Sequence, residues 1–276
     1  MAGFEDASAI VTGAASGIGL ALSRALIERG AHVWLSDVDG GAAKAAAETL
    51  GPRAHAEALD VRDAAGFDAI VARVASERSG LDYLFNNAGI GVGGEAHESS
   101  AAHYDRTIDI NIRGVTNGVA AAYPRMVARG SGHIVNTASA AGLLPVPLLA
   151  AYAMSKHAVV GLTTSLRLEG EPHGVRFSAL CPSAIETPLL DKEGPSDLPR
   201  TWRPDLRRYL TRVAGPPYPV EKFVEYALDA VAANRGVIVA PASARAARFL
   251  HRIAPGLVLQ RIRSALRAER ADRPIP

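Results

Sequence analysis

Cysteine is almost missing from this chain: 276 residues include only Cys181, which excludes an internal disulfide and any multi-thiolate metal site. The eight histidines show no H-x-x-x-H or comparable ligand spacing, so no metal is expected. No apolar run reaches the roughly 18 residues that a membrane helix needs. The first residues, MAGFEDASAIVTG, carry acids where a secretory signal needs bases. A reducing, cytoplasmic setting is expected. A basic excess is missing from most of the chain as well. The formal charge is +2, but eight arginines from Arg245 onward face only Glu269 and Asp272, which leaves residues 1–244 at −4. The body has nothing to attract nucleic acid.

What is present is a globular composition, 48% hydrophobic and 21% charged, which excludes disorder for the bulk of the chain. Short β-type runs at 9–12, 32–36, 53–58, 83–86, 133–137, 175–180 and 236–239 alternate with helical stretches at 18–29, 42–50, 64–79, 101–128, 152–171 and 221–234. Short buried strands alternating with helices predict an α/β fold: one doubly wound, Rossmann-type domain with a mainly parallel seven-stranded sheet and helices on both faces. That domain is expected to span 1–243. Two stretches break the rhythm. Residues 183–219 are proline-rich and carry Leu198, Trp202, Leu206, Tyr209 and Leu210, as a substrate lid would. Residues 244–276 form a basic amphipathic extension, helical and interrupted at Pro255-Gly256.

The first strand runs into Thr12-Gly13-Ala14-Ala15-Ser16-Gly17-Ile18-Gly19 and opens a helix. Glycines there permit a tight turn and the approach of a pyrophosphate to the free N–H groups of the helix. Eighteen residues past Gly19, Asp37 ends the second strand, where a carboxylate accepts from ribose hydroxyls and repels a 2′-phosphate. Asp39 fits the cap of the next helix better than Asp37 does. Neither Ser16 nor Val38 is an arginine that would receive a phosphate, so NAD (NADH) is favoured over NADP. Asp60-Val61 and Asn86-Asn87-Ala88-Gly89 follow the third and fourth strands, at the sheet edge where a cofactor crevice lies; a turn or a cap explains each equally well. Tyr152 and Lys156 share one helix face at i and i+4, with Ser139 just past the fifth strand. Beside a dinucleotide site, that trio reads as an acid–base site for a carbonyl or an alcohol.

In TGAASGIG (12–19), Asp37, DV (60–61), NNAG (86–89), NIRG (111–114), Ser139 and YAMSK (152–156), the chain resembles the classical short-chain dehydrogenase/reductase family over roughly residues 5–240. The resemblance implies that Tyr152 is the acid/base and that Lys156 lowers its pKa and holds the nicotinamide ribose. It also implies that Ser139 polarises the substrate oxygen and that Asn111 anchors a water relay. Gly13, Ser16, Gly17, Ile18, Gly19, Asp37, Asp60, Val61, Asn87, Ala88, Gly89, Tyr152, Lys156, Pro182 and Thr187 would hold the dinucleotide. A homotetramer or homodimer built on the helices of Asn111 and Tyr152 is the expected assembly. Ser183 stands where the family commonly has glycine, which costs energy if that backbone needs a positive φ.

Residues 140–151 carry no charge and no hydrogen-bonding side chain. They point to a lipophilic secondary alcohol or ketone as substrate. An NADPH-dependent 3-oxoacyl or polyketide ketoreductase is the alternative, and a non-catalytic nucleotide-binding scaffold is the alternative of another class. Cys181 reads as a buried hydrophobe, and His97 and His103 as surface residues near the pocket rim. In the tail, Phe249, Leu250, Ile253, Leu257, Ile262 and Leu266 lie among arginines. That pattern permits peripheral membrane contact, but packing against the body or a neighbouring subunit is favoured.

Overall fold

The computed structural model describes residues 3–192, 194–195, 197–199 and 201–273. Positions 193, 196 and 200 of the expected lid lie outside the described residues, as do 1–2 and 274–276 at the ends. Seven strands, β1 (Ser8–Thr12), β2 (His32–Asp37), β3 (Ala54–Ala58), β4 (Tyr83–Asn86), β5 (Gly132–Thr137), β6 (Val175–Pro182) and β7 (Val237–Ala240), form one sheet in the order 3-2-1-4-5-6-7. Every pairing is parallel, as the strand–helix alternation predicts.

The inner strands are largely apolar on both faces because helices cover both, whereas the edge strand β3, with His55 and Glu57, is only partly buried. On one face, Val11, Val33, Leu35 and Phe85 pack with Leu22 and Leu26 of α1 (Gly17–Glu28) and with Phe223, Val224 and Leu228 of α8 (Val220–Ala232). Their alternates Ile10, Trp34, Leu84 and Ile134 point the other way. They meet Phe67, Ile70 and Val71 of α3 (Ala64–Glu77) and Ala121, Ala122 and Met126 of α5 (Gly114–Arg129). Each large side chain so buried contributes about 1.5–3 kcal/mol. Asp39 caps α2 (Gly40–Leu50), its carboxylate accepting from Ala42 N at 2.9 Å, as expected.

The helical stretch at 101–128 proves to be composite. α4 (Ala101–Ile108) passes through a π-turn at Asp109–Arg113 into α5. The long α6 (Ala150–Gly170) follows β5. The expected lid is not all loop, since it contains α7 (Leu206–Ala214). Two helices end the chain, α9 (Ala242–Ile253) and α10 (Pro255–Ala271), divided where Pro255 starts the second. Leu148, Tyr209 and Ala265 form one buried cluster with Trp202, Leu210 and Leu266, so α10 packs on α7 and on the stretch before α6.

Candidate active site

Chain order in the sheet reverses between β1 and β4, and a crevice opens at the carboxyl ends of the strands where such a reversal occurs. Thr12 ends β1 there. Its hydroxyl accepts from Asn87 N at 2.9 Å and from Ala88 N at 3.0 Å, joining the two strand ends. The Asn87 side chain is spent on the protein: its amide donates to Thr12 O and Gly13 O, and its carbonyl accepts from Thr137. What Asn87 can offer a ligand is its backbone carbonyl. Val61 is buried against α5, while Asp60 is held ionised by Arg62, whose guanidinium grips it at 2.5–3.0 Å.

The glycine-rich turn fits a dinucleotide. Gly13 and Gly17 both have positive φ, and a Cβ on Gly13 would lie 2.8 Å from Ala88 Cα. A Cβ on Gly19 would run into Gly13 O, so bare backbone lines this cradle. The N-cap side chain of α1, Ser16, is exposed and caps nothing, and no acid sits in the first turn. The amides there stay open to a phosphate. Asp37 closes the cradle, with one oxygen accepting from Ala15 N at 3.0 Å and the other from Asp39 N at 3.1 Å. Gly13, Ser16, Gly17, Ile18, Gly19 and Asp37 would hold the pyrophosphate and ribose.

Beyond the cradle, Ser139, Tyr152 and Lys156 converge. Ser139 begins a short 3₁₀ turn, its hydroxyl accepting from Ala141 N and donating to Pro182 O at 3.3 Å. The Tyr152 phenol lies beside it on the same cavity wall. Burial raises Tyr152 above its ordinary value, while the neighbouring Ser139 acts to lower it. Lys156 Nζ sits 5.5 Å from the Tyr152 ring centroid and donates to Thr137 O at 2.8 Å, and burial drags its pKa down to about 8. Cys181, beside this group, is buried and pushed up to about 12, an inert thiol as expected.

Asn111 lies on the π-turn, fully buried. It clamps both backbone groups of Ile90, at 2.8 and 3.0 Å, and donates to Ser155 Oγ at 3.0 Å. A Cβ on Gly89 would come within 3.2 Å of Asn111 Oδ1 and 3.5 Å of Lys156 Nζ. Glycine there lets amide and ammonium share one space. Ser155 and Thr137, which orient Asn111 and Lys156, escaped the sequence reading because only the fold brings them near.

A cavity of about 630 Å³ starts at Ser139 and Tyr152, passes Ile18, Pro182 and Thr187, and is walled mostly by apolar side chains. Leu144, Val146 and Leu149 from the uncharged stretch line it, as expected, together with Leu206 and Leu210 of α7. The tail packs over the cavity: α9 and α10 supply Leu250, Val258 and Ile262. Ser183 has no positive φ and donates to Ala240 O at 2.9 Å, so it bears no left-handed strain. His103 corrects the surface expectation. It is buried, bonded to Ser100 and to Pro199 O at 3.1 Å, and serves to tie α4 to the lid. His97 is exposed. Among the described residues no cluster suited to a metal occurs.

The family profile described as short chain dehydrogenase matches residues 7–197. The 2,5-dichloro-2,5-cyclohexadiene-1,4-diol dehydrogenase of Sphingobium indicum is 35% identical over 227 residues, 82% of this chain and 87% of that protein. The probable oxidoreductase EphD of Mycobacterium tuberculosis is 38% identical over 195 residues; these are 69% of this chain but only 33% of that longer protein. Among solved structures, a short chain dehydrogenase/reductase from Burkholderia phymatum in complex with NAD superposes with a TM-score of 0.83. It is 33% identical, with 93% of this chain and 96% of that one covered.

Proposed function

The chain belongs to the short-chain dehydrogenase family and is an oxidoreductase of that type; from this premise we propose that it interconverts a lipophilic secondary alcohol and its ketone with NAD(H). The observation that carries the reading is an apolar cavity that runs from Ile18, in the first turn of α1, past Ser139 and Tyr152. The nicotinamide would supply or accept the hydride. Tyr152 takes the proton from the substrate hydroxyl in oxidation and returns it in reduction. Ser139 holds the substrate oxygen against the phenol, and Lys156 carries charge toward the ribose side. Asn111 keeps the Ile90 loop and Ser155 in register beside Lys156, where a water relay would end. Asp60, Val61, Asn87, Ala88 and Gly89 would border the adenosine and ribose, and Pro182 and Thr187 the carboxamide.

Asp37 supports NAD over NADP, because a 2′-phosphate would meet a carboxylate fixed by two backbone amides. The relative from Sphingobium, named for a cyclic diol, favours a ring alcohol. The reading includes a catalytic domain through residue 243, the tail as a cover, a dimer or tetramer built on α4–α6, and a cytoplasmic site of action. Fluorescence titration of NADH and NADPH is the test. NADH should bind more tightly, and Asp37→Ala should abolish or reverse the preference. Equal or tighter binding of NADPH by the unaltered chain would overturn the reading in favour of a biosynthetic ketoreductase.

A further inference from the structure

Three large apolar side chains stand in solvent where α9 meets α10: Phe249 and Ile253 are each 65% exposed and Leu257 is 60% exposed. Phe249 and Leu257 also line the cavity, so they mark its mouth. Arg261, exposed one turn beyond Leu257, is the one charged residue on that lining. Arg252 beside Ile253 on α9 and Arg263 on α10 are exposed as well. Neither they nor Arg261 and Arg267 make an ion pair or hydrogen bond among the described residues. The only acids of the tail are already taken: Glu269 by Arg208 and Arg212, and Asp272 by Arg212.

An apolar rim framed by unpaired arginines is complementary to a surface that is apolar at depth and anionic at its face. We propose that the α9–α10 junction docks on an anionic lipid bilayer, with the mouth of the cavity against the lipid. No helix among the described residues is long and apolar enough to cross a membrane, so the junction lies on the bilayer rather than spanning it. A second copy seated symmetrically on the same patch would bring the same arginines face to face, which opposes self-association there. Docking gives a lipophilic substrate a path that avoids water. That benefit rests on the function proposed above, whereas the docking itself does not.

Cosedimentation of the full chain with vesicles tests it, using phosphatidylcholine alone or mixed with phosphatidylglycerol. Binding is expected to the mixed vesicles and to weaken as salt rises. Phe249→Ser/Ile253→Ser/Leu257→Ser should abolish it. Arg252→Ser/Arg263→Ser, at exposed positions outside the cavity, should weaken it about fivefold per arginine while oxidation of a water-soluble alcohol is kept. If the apolar triple variant fails to fold, the arginine pair decides alone. No sedimentation with either vesicle, or sedimentation indifferent to the arginine pair, overturns the proposal. So does a smaller particle in sedimentation velocity for the triple variant without vesicle binding, which would assign the patch to a second copy. Failure of the dinucleotide reading would appear separately, in the NADH titration, where no lipid is present.

Discussion

At the scale of the residue, burial raises the pKa of Tyr152 and lowers that of Lys156. A phenol raised by burial becomes a base only on the alkaline side, and Lys156 loses its charge through about pH 8. Oxidation needs the deprotonated phenol and reduction the protonated one. kcat/KM for alcohol oxidation should therefore climb with pH through the neutral and alkaline range, while that for ketone reduction holds level until pH approaches the raised phenol value. Tyr152→Phe should lower kcat by about 10²–10⁴ and leave NADH affinity intact. A variant that retained its kcat would remove Tyr152 from the chemistry.

Among the elements, the contact between α7 and α10 is set by one carboxylate. Glu269 is fully buried, accepts from Asp205 N at 3.0 Å, and binds Arg208 at 2.8 Å and Arg212 at 3.0 Å. Glu95, half a molecule away in sequence, holds Arg270 at 2.5 Å and is kept below its ordinary pKa by that guanidinium. The contribution of Glu95 is thus present above the usual carboxylate range and lost as pH falls through its lowered value. Removing a buried partner leaves its charges uncompensated, but both arginines on α7 reach solvent. Glu269→Ala should cost about 2–3 kcal/mol rather than the full penalty of an isolated buried ion. Hydrogen exchange should show α10 amides opening first. Unchanged protection of α10 would mean that the apolar cluster around Tyr209 and Ala265 holds the tail unaided.

For the molecule as a whole, stability should carry the signature of His133, buried between strands β5 and β6. Ser178 Oγ donates to Arg235 O at 2.7 Å, so its lone pairs face His133 Nε2 at 2.8 Å, and the ring is the neutral Nε2–H tautomer. Burial lowers its pKa to about 3. Because the unfolded ring titrates near 6.5, the unfolded chain binds the extra proton as pH falls. Unfolding free energy should decline below about pH 6.5 by up to about 1.4 kcal/mol per unit. Urea midpoints measured between neutrality and mild acid check this, and His133→Gln should flatten the slope. His32, lowered chiefly by its own burial, adds a smaller decline of the same sign.

What the sequence determined by itself was whatever local spacing can carry. Short β-type runs broken by helical periods marked all seven strands; the inner ones are apolar on both faces because helices cover them, while the edge strand β3 carries His55 and Glu57. The glycine turn, Asp37 and the Tyr152–Lys156 pair were visible because local spacing marks each: a turn between strand and helix, a strand end, and positions i and i+4 of one helix. Only the tertiary structure decided relations between distant segments. Thr137 and Ser155 orient Lys156 and Asn111 across a strand end and a helix face, and no spacing encodes that. His103 looked like a surface residue until the lid brought Pro199 O to its ring. The arginine-rich tail could have packed in several ways. The buried Glu269 and the walls of the cavity settle its place, since a carboxylate without water must be met by cations, and those cations lie on α7, about sixty residues before it.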